Sequence, residues 1–282
     1  MQSKYYEFEF EGQKQKLHYL ESIVEESNHL LFLIHGLGCN TTSFLSETQD
    51  FESFLLKKYS LVLVDLVGFG QSQLNKNTSL SFEQSLLLYS MNQQAELLKD
   101  LLLNTFRIND PITTISIIGH SMGGGIGLLL IEKLMNHFQG NSTVQLQYFS
   151  VEGNLIANDS FLSKRVVDSY KKNKTFTQED LNNFLLIDEE WGKMAKLCSP
   201  TCFLCSCIDL VKVSFSEELF DLLCKLAINK KIYIYGEKSE NKKLSLRLEE
   251  KQLTKYKILN AGHMIMKDQP SAFWELISQL LD

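Results

Sequence analysis

Continuous apolar runs and helically spaced apolar residues alternate along most of this 282-residue chain. The continuous runs suit strands that are buried on both faces of a sheet. The helical patterns between them cover residues 41–58, 81–104 and 126–138. Strands that alternate with helices in this way predict an α/β fold with a mostly parallel, doubly wound sheet. The stretches that predict its strands read HLLFLIHG, YSLVLVDL, TTISIIGH, VQLQYFSV, KKIYIYG and KYKIL.

The first 22 residues and the stretch from 155 to 229 depart from this alternation. Apolar and polar residues alternate at the N-terminus, which predicts a β-hairpin with its turn at Glu11–Gly12. Residues 155–229 carry helical patterns without strand patterns. We therefore predict a core domain formed by residues 1–154 and 230–282, interrupted by a helical insertion at residues 155–229.

The composition supports a sizeable core and argues against nucleic acid as a partner. Hydrophobic residues make up 44% of the chain, and its net charge of -6 comes without a basic stripe. The N-terminus lacks the basic start and apolar segment of a signal peptide, and the longest apolar runs are too short to cross a bilayer. We therefore expect a soluble, cytoplasmic protein.

Four of the six cysteines crowd into the stretch CSPTCFLCSC at residues 198–207. Cys205 and Cys207 are too close for the usual pairing of zinc ligands, and no histidine lies nearby. Because the chain has no export signal, disulfides are not expected either. We predict buried thiols among helical residues, and we expect neither a metal nor an organic cofactor.

The stretch GHSMGG fits the pattern G-x-S-x-G at Gly119, Ser121 and Gly123. It follows an apolar strand and opens a helix, which is the context in which this pattern forms a sharp turn around a nucleophilic serine. The neighbours of that serine must be small because its backbone is strained. Ser121, at the N-terminus of the predicted helix, is therefore the candidate nucleophile.

Two backbone amides are candidates for an oxyanion hole, which stabilises the negative oxygen that develops during acyl transfer. One is the N–H of Leu37, in the stretch HGLG after a buried strand, and the other is the N–H of Met122, next to the candidate nucleophile. His35 and Asp65 also follow buried strands, but we interpret them as structural residues that brace their loops. His120 is interpreted as a space-filling neighbour of the serine.

His263, in the stretch NAGHMIM after the last predicted strand, is the candidate general base. A neutral imidazole in this loop could take the proton of the serine and return it to the leaving group. His18 and His29 lie in predicted strands and His137 ends a predicted helix, so they are weaker candidates.

In their order and spacing, the stretches HGLG, DLVGFGQS, GHSMGG and AGHMIM resemble the α/β-hydrolase superfamily. The resemblance covers nearly the whole chain, and the helical insertion falls where that family carries its cap. It implies a nucleophile at Ser121, a base at His263, and an oxyanion hole from Leu37 and Met122. It also implies a buried carboxylate that is hydrogen-bonded to the histidine.

The carboxylate is where this chain departs from the commonest pattern of the family. That pattern reads G-x-x-D after the penultimate strand, but here Ser239 stands at the position of the aspartate. Glu152 is the preferred acid, because some branches of the family place their acid at the end of the strand that follows the nucleophile helix. Asp159, Glu237 and the absence of a working acid are the alternatives.

Together these residues predict a serine hydrolase that forms an acyl-enzyme with a small-molecule ester or related acyl substrate. A thioester, a lactone or a C–C bond beside a ketone would use the same groups. A ligand-binding protein without turnover and a cofactor-free, peroxidase-like enzyme are further alternatives. We expect an apolar pocket for an uncharged acyl group between the sheet and the insertion, lined by Trp191, Phe184, Met194 and Phe203.

Overall fold

The structure, a computed structural model, describes residues 1–45, 51, 56–75, 77–108, 112–139, 143–186, 189–228 and 230–281. Within these ranges, eight strands join in one sheet. The strands are β1 (Gln2–Phe10), β2 (Gln13–Ser22), β3 (His29–Ile34), β4 (Ser60–Val64), β5 (Thr114–His120), β6 (Gln145–Val151), β7 (Lys230–Gly236) and β8 (Thr254–Ile258).

The strands lie in the order β1-β2-β4-β3-β5-β6-β7-β8 across the sheet. β1 and β2 form the antiparallel hairpin that the sequence predicts, with its turn at Glu11–Gly12, and β2 also pairs antiparallel with β4. All pairs from β4 to β8 across the sheet are parallel. The mostly parallel, doubly wound sheet is therefore confirmed.

Twelve α-helices within the described ranges connect and cover these strands. They are α1 (Leu56–Lys58), α2 (Phe82–Leu88), α3 (Met91–Thr105), α4 (Met122–His137), α5 (Phe161–Asn173), α6 (Gln178–Leu185), α7 (Glu189–Ala195), α8 (Pro200–Ser216), α9 (Glu218–Lys225), α10 (Lys242–Glu250), α11 (Ile265–Asp268) and α12 (Pro270–Leu281).

The helical pattern over residues 81–104 is confirmed, but the structure divides it into two helices, α2 and α3. Ser90, between the two, has extended backbone geometry, and its hydroxyl accepts the N–H of Gln93 as the N-cap of α3. The side chain of Asp209 on α8 accepts the N–H of Met91 at 2.8 Å. A second N-cap in the middle of an apolar pattern therefore starts a new helix where the spacing alone predicts continuation.

The helix predicted over residues 41–58 falls largely outside the described ranges. Its two described ends are a 3₁₀ turn at Thr41–Ser43 and the short helix α1. The helix predicted over residues 126–138 is confirmed, but it begins four residues earlier, at Met122, directly after the candidate nucleophile.

Helices cover both faces of the sheet, so alternate residues of a central strand face different cores. In β3, Leu30 and Phe32 belong to a core that includes residues of α3, α4 and α8. Leu31 and Leu33 belong to a second core, which includes residues of α12. Because both faces are buried, β3 is apolar along its length instead of alternating with polar residues.

The helices α5 to α9 lie between β6 and β7, in the stretch where the sequence predicts a helical insertion. α8 packs against α2, α3 and α5 and so joins the insertion to the rest of the protein. Cys202, Cys205 and Cys207 on α8 are buried free thiols, as is Cys198 just before it, which confirms their predicted burial. None of the described helices is long and apolar enough to cross a membrane.

Candidate active site

Ser121 lies in the sharp turn between β5 and α4, as the strand–turn–helix context of its motif predicts. Its φ of 53° and ψ of -121° are unfavourable for a residue with a side chain. A Cβ on Gly119 would come within 2.2 Å of the carbonyl oxygen of Gly123, and one on Gly123 within 2.3 Å of that of Ile34. Both glycines are therefore needed for the close packing that holds the serine in this turn.

The amides of Leu37 and Met122 belong to the two segments next to the candidate nucleophile. Met122 is the first residue of α4, so its N–H has no acceptor within the helix. A Cβ on Gly36 would come within 3.0 Å of the Cβ of Ser121, which places the loop of Leu37 against the serine. Within the part of the chain that the structure describes, neither amide donates a hydrogen bond. Both are therefore open to an acceptor.

Trp191, on α7 of the insertion, holds the loop of Leu37 in place. Its indole N–H donates to the carbonyl oxygen of Leu37 at 2.8 Å. Gly38 has a φ of +70°, and a Cβ there would come within 2.9 Å of both Trp191 and Ala195. The insertion and this loop are therefore packed in direct contact.

Glu152 follows β6 and is 7% exposed. One carboxylate oxygen, Oε1, accepts the N–H of Gly236 and the hydroxyl of Ser239, each at 2.6 Å. The other, Oε2, lies 3.4 Å from Nδ1 of His263. β6 lies between β5 and β7 in the sheet, so Glu152 comes between Ser121 and the loop that holds Ser239. The structure thus brings the preferred acid to the candidate base.

The two alternative acids have other partners. Oε2 of Glu237 accepts the N–H of Asn260 at 3.0 Å, on the exterior of the protein. Asp159 accepts the N–H groups of Leu155 and Ile156, each at 3.0 Å, and the side-chain amide of Asn241 at 2.6 Å. Burial raises the pKa of Asp159, although its hydrogen bonds act in the opposite direction. Neither carboxyl is hydrogen-bonded to His263.

His263 lies in the loop after β8, and its side chain is about half exposed, at 49%. The buried ring of His120 donates from Nε2 to the backbone oxygen of His263 at 2.9 Å, and the two rings are 4.9 Å apart. Burial, with the nearby His263, lowers the pKa of His120 to about 3. His120 is therefore uncharged at neutral pH and acts on the candidate base through its backbone.

Asn154 is a site residue that the sequence analysis missed. Its side-chain oxygen Oδ1 accepts the hydroxyl of Ser121 at 3.1 Å, and its backbone N–H donates to the carbonyl oxygen of Ser121 at 3.3 Å. The sequence does hold a signal for it, because Asn154 is a polar residue two positions after Glu152. Side chains that follow parallel strands meet at one edge of the sheet.

His35 and Asp65 occupy the structural positions that the sequence analysis proposes for them. Nδ1 of His35 donates to the carbonyl oxygen of Gly36 at 2.7 Å, and Nε2 accepts the N–H of Leu66 at 3.0 Å. Asp65 accepts hydrogen bonds from Nδ1 of His18 at 2.8 Å and from two backbone amides. These bonds fix the loops that follow β3 and β4.

A cavity of about 360 Å³ opens above Ser121. Ser121, Asn154 and His263 are among the polar residues that line it, and much of the wall is apolar. It combines an apolar volume with a few convergent polar groups, as small-molecule sites do. The described residues that line it are Gly36, Leu37, Cys39, His120, Ser121, Asn154, Asp159, Ser160, Phe161, Leu162, Ser163, Trp191, Leu210, His263 and Met264.

Of the four residues expected to line the pocket, Trp191 lies in the wall of this cavity and the other three do not line it. Phe203 is fully buried and packs with Trp191 and Phe176 inside the insertion. Phe184 also packs against Phe176. Met194 accepts a long contact from the hydroxyl of Thr42 at 3.8 Å. Apolar residues on the insertion's helices thus pack largely with one another.

No protein-family model matches the sequence, and no curated protein matches it. Among solved structures, a bromoperoxidase from Bacillus anthracis is similar, with a TM-score of 0.70, 15% identity, and coverage of 99% of each chain. A variant of the N-acyl homoserine lactonase AidH has a TM-score of 0.69 at 15% identity, covering 99% of this chain and 96% of that one. An esterase from Thermogutta terrifontis has a TM-score of 0.67 at 16% identity, covering 100% of this chain and 98% of that one. These similarities extend to the whole fold.

Proposed function

We propose that this chain, which has the α/β-hydrolase fold, is a serine hydrolase acting on a carboxylic ester or a related acyl substrate. One observation carries the proposal. Ser121, on its strained turn, lines the same cavity as His263, and Nδ1 of His263 lies 3.4 Å from the buried carboxylate of Glu152. A nucleophile, a base and an orienting acid in this arrangement are the groups that acyl transfer to water requires.

In the first half of the proposed reaction, Ser121 Oγ attacks the carbonyl carbon of the substrate while Nε2 of His263 takes the hydroxyl proton. The carbonyl oxygen becomes an anion, which the amides of Leu37 and Met122 receive. The C–O bond to the leaving group then breaks, and the proton passes from His263 to that group. Glu152 stabilises the charged imidazole between these two transfers.

In the second half, water attacks the acyl-enzyme while His263 takes one of its protons. The bond between the acyl carbon and Ser121 Oγ breaks, the proton passes to that oxygen, and a carboxylic acid leaves. The contact of 3.4 Å between Glu152 and His263 is long for a hydrogen bond, and we propose that it shortens when the imidazole takes up its positive charge.

The lining of the cavity favours an uncharged acyl group. Among the described residues that line it, none is a lysine or an arginine, so a second carboxylate on the substrate would have no cationic partner. Phe161 and Leu162 come from the insertion, which we propose acts as a cap over the site. Esters with an uncharged acyl group are therefore the substrates we expect.

A fluorophosphonate probe tests the proposal, because it phosphonylates only an activated serine. We expect wild-type protein to gain one adduct by intact-mass spectrometry and Ser121→Ala to gain none. Ser169→Ala, on α5 and outside the cavity, is the matched control and should label like wild type. A panel of chromogenic esters of increasing acyl length then gives the acyl length that the protein hydrolyses fastest. Failure of wild-type protein to label at Ser121 would refute the proposal.

A lactone is the second candidate substrate, because the similar structure of AidH belongs to an N-acyl homoserine lactonase. A cyclic ester would react through the same steps, except that the leaving group remains attached to the acyl chain. Adding lactones to the ester panel shows whether an open-chain ester or a lactone is hydrolysed faster. A C–C bond hydrolase, a cofactor-free peroxidase-like enzyme and a ligand-binding protein without turnover are the remaining alternatives. The ligand-binding alternative predicts no fluorophosphonate adduct.

A further inference from the structure

We infer that Asn154 is a positioning residue which holds the water that hydrolyses the acyl-enzyme. The inference rests on the proposed serine hydrolase function and names a residue beyond the nucleophile, the base, the acid and the oxyanion hole. It starts from an unusual feature of the site. The hydroxyl of Ser121 donates to Oδ1 of Asn154 at 3.1 Å, and within the described residues it makes no hydrogen bond to His263.

The orientation of the Asn154 amide follows from its other partner. Its Nδ2 group donates to the backbone carbonyl oxygen of Asp159, which can only accept. Oδ1 must therefore face Ser121. Asp159 is in turn fixed by the N–H groups of Leu155 and Ile156. Asn154 is 3% exposed, so its amide has little freedom to turn away.

Acylation removes the proton that Asn154 accepts. Once Ser121 Oγ is part of an ester it carries no hydrogen, and Oδ1 of Asn154 loses its donor. A buried acceptor without a donor is destabilising. The acyl-enzyme therefore favours a new donor at this oxygen, in the cavity that Ser121 and Asn154 both line.

A water molecule satisfies this acceptor and the base together. Asn154 and His263 line the same cavity as Ser121. Water has two protons, so it can donate one to Oδ1 of Asn154 and the other to Nε2 of His263, which leaves a lone pair for the acyl carbon. On attack, the C–O bond to water forms, its proton passes through His263 to Ser121 Oγ, and the C–Oγ bond breaks. The proton held by Asn154 leaves with the carboxylic acid.

This arrangement also favours water over an alcohol as the attacking group. An alcohol has one hydroxyl proton, which the base must take, and therefore cannot donate to Asn154 as well. Hydrolysis should accordingly predominate over transfer of the acyl group to an alcohol by more than the ratio of water to alcohol concentrations predicts.

Asn154→Leu tests the inference, because leucine has a similar size and no acceptor. Asn158→Leu, on an exposed residue of the same loop, is the matched control. With a p-nitrophenyl ester, we expect the release of p-nitrophenol in the first turnover to be unchanged or faster in Asn154→Leu, since Ser121 is no longer held away from the base. Hydrolysis of the acyl-enzyme should slow about tenfold, as expected for loss of one orienting hydrogen bond. Rapid quenching and intact-mass spectrometry should then show more acyl-enzyme at steady state.

Competition with methanol gives a readout that general damage to the fold would not change. In Asn154→Leu the ratio of methyl ester to carboxylic acid should rise severalfold, whereas Asn158→Leu should keep the wild-type ratio. An unchanged ratio and unchanged acyl-enzyme level in Asn154→Leu would overturn the inference. So would equal slowing of both half-reactions. If wild-type protein forms no acyl-enzyme and releases no product, the proposed function itself fails.

Discussion

The two carboxylate oxygens of Glu152 have different hydrogen-bond partners. Oε1 is held by the N–H of Gly236 and the hydroxyl of Ser239, and Oε2 remains for His263. Ser239, at the position where the resemblance leads one to expect an aspartate, is therefore a hydrogen-bond donor to an acid that comes from the neighbouring strand. These two donors, each at 2.6 Å, fix the orientation of that carboxylate.

Replacing this acid should affect catalysis far more than replacing the exposed one. We expect Glu152→Gln to lower ester turnover by roughly several hundredfold or more, because an amide cannot stabilise the charged histidine. Glu237→Gln is the matched control and should retain nearly all activity, since its carboxylate accepts the N–H of Asn260 on the exterior of the protein. Steady-state kinetics on the best ester of the panel measure both, and the reverse ranking would contradict the assignment.

Placing a carboxylate at position 239 tests the role of Glu152 by a gain of function. The double variant Glu152→Gln/Ser239→Asp places a carboxylate on the loop after β7, where it can face the imidazole of His263. We expect the double variant to be about tenfold more active than Glu152→Gln but less active than wild type, because the new carboxylate restores the negative charge but not the original geometry. Turnover of the single and double variants is compared on one substrate. No recovery, with the double variant folded, would mean that the two sites are not equivalent for the base.

At the scale of elements, the indole of Trp191 is one of the contacts that link the insertion to the loop of Leu37. α7 carries Trp191, whose N–H donates to the carbonyl oxygen of Leu37, while the N–H of Leu37 is the proposed oxyanion donor. A change in the position of α7 would therefore shift that donor directly. Small displacements of such donors are costly, since about 1 Å can reduce the rate roughly a hundredfold.

Trp191→Phe should lower kcat by about tenfold or more while KM changes little, because phenylalanine keeps most of the apolar wall but cannot hold Leu37. Trp274→Phe is the matched control. Trp274 is a residue of α12 in the second core, and among the described residues its indole N–H has no partner. The control should lose stability, through lost packing, but keep its kcat. Urea unfolding and ester kinetics separate the effects, and equal loss of kcat in both variants would exclude a specific role for Trp191.

At the scale of the whole molecule, buried histidines link stability to pH. Burial lowers the pKa of His120 to about 3 and, together with Lys230 and Lys58, that of His29 to about 4. Burial also lowers the pKa of His35. Each ring is uncharged in the folded chain and takes up a proton on unfolding below its ordinary value of 6.5. The unfolded chain then binds more protons, so stability falls as the pH drops below 6.5.

We expect the free energy of unfolding to be constant near pH 7.5 with respect to these groups and to decrease steadily below pH 6.5. His120 alone should contribute a loss of about 2 kcal/mol at pH 5, from about 1.4 kcal/mol per pH unit. Urea unfolding between pH 7.5 and 5 measures this, and His120→Asn should show a shallower slope than wild type. Equal slopes in the two proteins would contradict the contribution of His120.

The sequence by itself determined the sheet, the sharp turn at Ser121 and most of the candidate groups. Apolar runs such as the one in β3 and the glycines around Ser121 are local signals, because burial on both faces and a strained turn each restrict the residue types at those positions. It also ranked Glu152 above Asp159 and Glu237 as the acid, and the structure places Glu152 beside His263.

Only the tertiary structure decided how those groups meet. The break of one predicted helix at Ser90, the donation from Ser239 to Glu152, and the contacts of Asn154 and Trp191 join residues from different elements. The contact between Ser239 and Glu152 spans 87 positions, and that between Trp191 and Leu37 spans 154. Periodicity and turn chemistry act over a few residues, whereas such contacts depend on how strands are ordered and helices packed.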